Sequence, residues 1–362
     1  MSAAVVRVLV VDDSAIVRAL VRSALSQHPQ IEVVGLASDG LDAVAKIRSL
    51  RPDVVTLDIE MPRLNGIGVL ERVAGRAPVK FLMVSTLTQA GARITFEALN
   101  KGAIDYITKP QATGPAATAT FRKQLVDKVL AVARVRARRP TATGRGPITG
   151  TAPTLPPNEV RGWVVAIGIS CGGPQTLYEM LPAFPSNFVP IVLTQHMPAQ
   201  FTGPFAQHLD ACCAMNVREA KHGEPLMPGT IYIAPGDDHL CLVRRGAQLH
   251  LALDHGPPVS GHRPSVDVMF KSVAKACGPR SVGVIMTGMG RDGADGIVEL
   301  HKAGAHTVAQ DEETSLVYGM PKAAKDTGCV GHIVPLPQVP QTIAKLMMGG
   351  TRRDAAEARE AR

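Results

Sequence analysis

The stretch VRVLVVDDSAIVRALVRSAL, Val6–Leu25, changes period halfway along its length. VRVLVV is a β-branched run that reads as a buried strand and ends in two acids, Asp12 and Asp13. AIVRALVRSAL then spaces its apolar residues as one face of a helix does. Outward from it the same unit recurs. IEVVGLA precedes DAVAKIRSL, PDVVTLDIEMP precedes GIGVLERVAG, VKFLMVST precedes ARITFEALNKG, and AIDYITKP precedes TFRKQLVDKVLAVARVRAR. Five strand–helix alternations predict a doubly wound α/β domain with a parallel sheet, which places ligands at the carboxyl ends of the strands.

After residue 138 the texture becomes rich in Pro, Gly and Thr, which predicts a flexible linker over 139–161. A second α/β pattern starts with WVVAIGIS and continues through VPIVLTQHM, GTIYIAPG, HLCLV, LHLAL, SVGVIMTGMG and HTVAQD. The expectation is two doubly wound parallel-sheet domains, 1–138 and 162–350, followed by a charged tail at 351–362. A length of 362 residues is enough for two cores.

Composition narrows the function classes. Hydrophobic residues make up 45% and charged residues 19%, with no run that would span a bilayer and no signal-peptide layout, so a cytoplasmic protein without membrane insertion is expected. The six cysteines show no paired metal spacing, and the adjacent Cys212 and Cys213 make a poor zinc pattern. The net charge of +8 raises nucleic acid as a partner, but part of it comes from Arg134–Arg145, and no helix-turn-helix or aromatic basic face accompanies it.

In the first half, Asp12 and Asp13 end one strand and Asp58 ends another. Three clustered carboxylates need a cation, and Mg²⁺ suits an all-oxygen site. Asp58 could then act as a nucleophile toward a phosphoryl group. Ser85 and Lys109 end two further strands, where they could bind the phosphate. Taken singly these are ordinary solvated loop residues; together they form a site.

In the second half, GISCG (Gly168–Gly172) matches G-x-S-x-G, the sharp strand-to-helix turn that presents a serine. A phosphate-cradling turn is the competing reading, though the P-loop lysine is missing. Ser170 needs a base, and His196 stands at the end of the next apolar strand, whereas His222, His255 and His262 fall in turn-like or surface contexts. Asp292, with Asp295 as its competitor, follows SVGVIMTG and could orient the base or simply cap a helix. Backbone N–H groups around Met289 could serve an oxyanion. The order Ser, His, Asp differs from that of ordinary α/β-hydrolases.

The N-terminal pattern resembles the receiver domain of response regulators, carried by Asp12–Asp13, LDIEMPRLNG, MVST and DYITKP. That likeness implies a flavodoxin-like fold and phosphorylation of Asp58 by a histidine kinase. It also implies Mg²⁺ held by Asp12, Asp13, Asp58 and the Glu60 carbonyl, with Ser85, Tyr106 and Lys109 as switch residues. From about Trp163 to Leu346, the motifs IGISCGG, TQHMP, YIAPGDDH, RPSVDVMF, TGMGRDGADG and YGMPKAA resemble the CheB-type protein-glutamate methylesterases. That resemblance implies a Rossmann-like hydrolase domain with Ser170 as nucleophile, His196 as base and Asp292 as orienting acid. Met289 and Cys171 would form the oxyanion side and wall, and the esterase step would need no cofactor. The implied substrates are glutamate γ-methyl esters and glutamines of methyl-accepting chemoreceptors. Cys171 departs from the family's usual Thr. The alternatives are a phospho-switched binding module with a vestigial hydrolase site, and a DNA-binding regulator.

Overall fold

The computed structural model describes residues 5–86, 88–110, 114–135 and 160–360, with backbone only at 115, 116 and 350–360. It divides into two units, within Met1–Arg145 and Gly146–Arg362. Most of the expected linker, 139–159, lies outside the described residues.

In the first unit the β-branched run forms β1 (Val6–Val11). The helix α1 (Ala15–Leu25) starts at once because Ser14 accepts the Val17 N–H at its N-terminus. The remaining elements alternate as the periodicity requires: β2 (Ile31–Ala37), α2 (Gly40–Leu50), β3 (Val54–Asp58), α3 (Gly66–Val73), β4 (Lys80–Ser85), α4 (Gln89–Asn100), β5 (Asp105–Thr108) and α5 (Pro115–Arg134). The five parallel strands lie in the order β2-β1-β3-β4-β5. Val11 pairs with Leu57 and Asp58 with Val84, so the acid-bearing ends of β1 and β3 are neighbours. Val8, Val10, Val54, Leu82 and Ile107 pack against Leu125 and Val129 of α5.

The second unit runs β6 (Val164–Ile169), α6 (Gly173–Met180), β7 (Ile191–Gln195), α7 (Ala199–Asp210), β8 (Asn216–Glu219), β9 (Thr230–Ile233), β10 (His239–Arg245) and β11 (Gln248–Asp254). It continues with α8 (Val266–Cys277), β12 (Ser281–Ile285), α9 (Ala294–Lys302), β13 (His306–Gln310), α10 (Met320–Lys325), β14 (His332–Val334) and α11 (Val339–Glu360). Seven parallel strands lie in the order β14-β13-β12-β6-β7-β9-β8. The chain leaves β6 toward β7 and later returns on the other side with β12, so β6 is the switch point where such sheets hold their sites.

One part departs from the expected repetition. HLCLV and LHLAL form an antiparallel hairpin, β10–β11, outside the main sheet. The hairpin packs on α8, with the Leu242 N–H donating to Ser272 Oγ at 3.0 Å and Arg244 Nη2 to the Ala276 carbonyl at 2.7 Å. Val266, Met269, Phe270, Val273, Ala274 and Cys277 form the buried stripe of α8. Burial of Phe270 alone contributes about 1.5–3 kcal/mol. That packing fixes the N-terminus of α8 beside the end of β6. The backbone of α11 continues as helix through most of the expected tail.

Candidate functional site

Two clusters stand at carboxyl ends of strands, one in each unit. In the first unit, ligand oxygens of Asp12, Asp13 and Asp58 all lie within 4.8 Å of one another. Asp12 and Asp58 are 2% and 4% exposed, so their charges are held away from water. Lys109 reaches both carboxylates at 2.8 Å. Burial, with help from the Asp12 charge, pushes the Asp58 carboxyl up to about 6, although Lys109 and the Ile59 N–H pull it the other way. Burial lowers the Lys109 ammonium, but its two carboxylate partners outweigh that and raise it. Three carboxylates with one cation leave an excess of negative charge among oxygen donors, and this set fits a hard divalent ion such as Mg²⁺. Glu60, the next acid along, lines the cleft beside Asp13.

The other expected residues of this unit take different positions. Ser85 is fully buried, and its hydroxyl accepts from Thr95 of α4 at 2.7 Å. Tyr106 is buried edge-on to Phe96, with ring centroids 6.5 Å apart, and desolvation raises its phenol well above the ordinary range. Both therefore couple the strand ends to α4. Thr95 was not singled out in the sequence, and only its one-turn spacing from Gly91, whose carbonyl it also binds at 2.6 Å, points to it.

In the second unit Ser170 follows β6, with its N–H bonded to the Thr287 carbonyl at 2.9 Å. The turn needs glycine at Gly172, where φ is +73° and a Cβ would sit 2.6 Å from Leu316. Gly288 is equally constrained, since its Cβ would meet the Ser170 Cβ at 2.9 Å. In-register pairing of Ile169 with Gln195 delivers His196 beside the serine. Ser170 Oγ and His196 Nδ1 are 3.0 Å apart, and His196 Nε2 and Asp292 Oδ2 are 2.7 Å apart. The imidazole is thus used with the opposite nitrogen assignment to the chymotrypsin-type triad.

Asp292 is 1% exposed, yet it is held ionised. Burial opposes the charge, but His196, the Val266 N–H and Ser265 hold the carboxyl well below its usual range. Its Oδ2 accepts from the Val266 N–H at 2.8 Å; its Oδ1 accepts from Ser265 Oγ at 2.7 Å and the Asp267 N–H at 3.1 Å. Asp292 is indeed a helix cap, but for the distant α8 rather than for α9, which Gly293 precedes without a side-chain cap. The competitor Asp295 is exposed and pairs with Arg291 at 3.0 Å. Cys171 is buried beside the serine, with its carbonyl bonded to Thr287 Oγ1 at 2.9 Å. Met289 stands partly exposed on the loop after β12.

Three participants escaped the sequence reading. His262, expected in a turn-like or surface context, stacks on His196 with centroids 3.8 Å apart and planes 5° apart. It sits in a turn, as expected, but the turn folds over the site. Burial and the neighbouring His196 push its pKa down to about 4, which keeps it neutral near pH 7. Gln195 ties the two strand ends together, its Nε2 donating to the carbonyls of Ser170 at 3.0 Å and His196 at 3.1 Å. Ser265 is held by His239 Nδ1, which accepts its N–H at 3.1 Å. The side-chain period shows Gln195 pointing away from its neighbours; nothing local shows where His262 lands.

The fold and the two clusters define an α/β chain of receiver type coupled to an α/β unit with a hydrogen-bonded Ser, His and Asp at its switch point. The CheB methylesterase family matches residues 165–343, and the response regulator receiver domain matches residues 8–118. A Caulobacter vibrioides protein called protein-glutamate methylesterase/protein-glutamine glutaminase 1 is 48% identical over 342 residues, 94% of this chain and 98% of the relative. Its namesake from Geobacter metallireducens is 43% identical over 349 residues, 95% of this chain and 96% of the relative. The crystal structure of the Thermotoga maritima CheB methylesterase catalytic domain is similar with a TM-score of 0.50 and 38% identity, covering 51% of this chain and 98% of that one. The chain belongs to the CheB methylesterase family and carries that family's enzyme domain behind a response regulator receiver domain.

Proposed function

We propose that the protein is a phosphorylation-activated protein-glutamate methylesterase and protein-glutamine deamidase, acting in the cytoplasm on methyl-accepting chemoreceptors in chemotaxis. The observation that carries this reading is the Ser170–His196–Asp292 chain at 3.0 and 2.7 Å, with the acid buried and ionised. With the Nε2 proton committed to Asp292, Nδ1 is free to accept the Ser170 proton. Ser170 Oγ attacks the γ-carbonyl of the glutamate ester while His196 takes that proton. His196 then returns it to the departing methoxide, which leaves as methanol. Water attacks the γ-acyl-serine by the same proton route, giving glutamate and free serine. A glutamine side chain follows the same path and releases ammonia. The Met289 N–H and the wall at Cys171 are assigned to the oxyanion side. No step requires a cofactor.

In the receiver unit, Asp58 is the phosphoacceptor for a histidine kinase. Asp12, Asp13, Asp58 and the Glu60 carbonyl would hold Mg²⁺, which when bound neutralises charge during phosphoryl transfer. Lys109 would pair with the new phosphate, and Ser85 and Tyr106 would carry the change to α4. The proposed domain bounds are 1–138 and 162–350. The receiver restrains the catalytic domain until Asp58 is phosphorylated, a reading supported by the presence of both domains in one chain.

The test is methanol release from methylated receptor membranes, with and without a small phosphodonor. Ser170→Ala is expected to fall to background, Cys171→Ala to stay within about tenfold, and Asp58→Asn to lose stimulation only. Residues 162–362 alone should exceed the unstimulated full chain. Retained activity in Ser170→Ala with loss in Cys171→Ala would reverse the assignment of the nucleophile.

A further inference from the structure

The motif YIAPGDDH ends at His239, a residue the reaction above does not use. His239 opens β10 opposite Asp254 of β11 and is 1% exposed. Both of its ring nitrogens are bonded. Nε2 lies 3.1 Å from the Pro257 carbonyl, and Nδ1 lies 3.1 Å from the Ser265 amide nitrogen. A carbonyl only accepts and an amide N–H only donates, so Nε2 carries the proton and Nδ1 the free lone pair.

These two partners stand near the two ends of the segment that joins β11 to α8. Between them the chain makes a tight turn, in which the Val259 and His262 amides bond each other's carbonyls at 3.0 and 2.9 Å. Ser260 at the corner of that turn donates through Oγ to Asp267 Oδ2 at 3.3 Å. Arg263 Nη1 donates back to the carbonyls of His255 and Gly256, at 3.1 and 2.9 Å. The turn lays His262 on His196, and the end of the segment brings Ser265 Oγ to Asp292. His239 therefore closes the foot of a loop that touches both the base and the acid.

We propose that His239 is a positioning residue for the esterase step: by holding the Ser265 N–H it aims the Ser265 hydroxyl, and through it the Asp292 carboxylate, at His196. The inference rests on the reading of Ser170, His196 and Asp292 as a triad. Ser265 is the N-cap of α8, yet its hydroxyl makes no capping bond there, because it donates to Asp292 Oδ1 at 2.7 Å. An N-cap amide precedes the helix ladder and has no partner within it, so the ladder does not orient Ser265. His239 supplies that partner. Asp292 receives Ser265 on Oδ1 and His196 on Oδ2, so a rotation of the carboxylate that loosens one contact displaces the other. The Val266 and Asp267 amides that bond the same carboxylate belong to the same helix end and are anchored with it. A continuous chain thus runs from His239 through Ser265, Asp292 and His196 to Ser170, with links of 3.1, 2.7, 2.7 and 3.0 Å.

The experiment measures methanol release from methylated receptor membranes by the full chain. His239→Gln places an amide nitrogen near the Pro257 carbonyl but removes the acceptor for Ser265, whereas His239→Asn places an oxygen near the Nδ1 position. His239→Gln should lower kcat about tenfold with KM within about twofold, and His239→Asn should recover to within about threefold of wild type. Adding His239→Gln to Ser265→Ala should cost no more than about a further twofold, because the path through the Ser265 hydroxyl is already gone. In the isotope-labelled wild-type chain, a nitrogen–nitrogen coupling across the hydrogen bond should join Ser265 N to His239 Nδ1. That measurement decides the contact even where a variant does not fold. Absence of the coupling, wild-type kcat in His239→Gln, or losses that multiply in the double variant would each overturn the proposal. Ser170→Ala runs in parallel: activity in it removes the triad reading and the proposal with it, whereas background activity there confines any failure to His239.

Discussion

Replacing Asp292 by Asn tests the geometry of the second unit at its most constrained atom. The carboxylate accepts from four donors: His196 Nε2, the Val266 and Asp267 N–H groups, and Ser265 Oγ. An amide offers one acceptor oxygen, so its NH₂ must face two of these donors whichever way it turns. The mobile partner is His196, which can move its proton to Nδ1 and accept from the new amide. That tautomer points a proton at Ser170 and removes the base. The expected loss in kcat is about 10⁴, or about 5.5 kcal/mol at roughly 1.36 kcal/mol per tenfold, with KM little changed. The fold weakens as well: unsatisfied donors cost about 1–3 kcal/mol each and the lost anion at the α8 N-terminus about 0.3–1 kcal/mol. A melting temperature lower by about 5–10 °C is expected for a unit of this size. The Asp292 carboxyl is depressed in the folded chain, so its stabilisation is present above the ordinary carboxylate range and lost as pH falls through its folded value. The stability gap between wild type and Asp292→Asn should therefore be flat near neutral pH and close only below about pH 4. Methanol release and circular dichroism melts on the same samples separate the two effects. A folded Asp292→Asn enzyme within tenfold of wild type in kcat would refute the argument.

Three further outcomes are expected. His262→Ala should lower kcat about 2–10-fold through loss of a stacked ring worth about 0.5–1.5 kcal/mol, and His262→Phe should recover part of that; equal kcat in all three would remove His262 from the site. Asp58→Asn should raise receiver stability at pH 7, because the folded carboxyl titrates near 6 and is ionised at a cost above that pH. The ceiling is about 3 kcal/mol, discounted to about 1 kcal/mol for solvent screening and the lost Lys109 pair; the gain should fade between about pH 6 and pH 4, and a pH-independent melting difference would contradict the cause given. Mg²⁺ at about 100 times its dissociation constant should stabilise the wild-type chain by about 2.7 kcal/mol, and Asp12→Asn should reduce the effect strongly; equal shifts in both would exclude the acidic cluster as its site.

The elements whose information is local were legible. Strand runs such as Val8–Val11 and Val164–Ile169 are buried along their whole length, so their apolar residues are continuous in sequence. Helices such as α8 show their buried stripe as a spacing of three and four residues. The strand-end placement of the candidate residues was legible for the same reason, since a parallel sheet gathers the residues after its strands at one edge. Asp12, Asp58, Lys109, Ser170 and His196 all follow from that rule. The hairpin β10–β11 was read only as strands, because alternation does not say which sheet a strand joins.

What the tertiary structure alone decided is how groups far apart in sequence meet. The sequence by itself determined two α/β units, their strand ends, and a serine on a tight turn. It did not determine that Asp292 would cap α8, 26 residues upstream at Val266. Nor did it place His262 over His196, which depends on a turn closing across the sheet edge. The periodicity of a chain reports which side of an element is buried, a property of neighbouring residues. The direction of a hydrogen bond or the face of a stacked ring depends on distances between elements, which only packing sets.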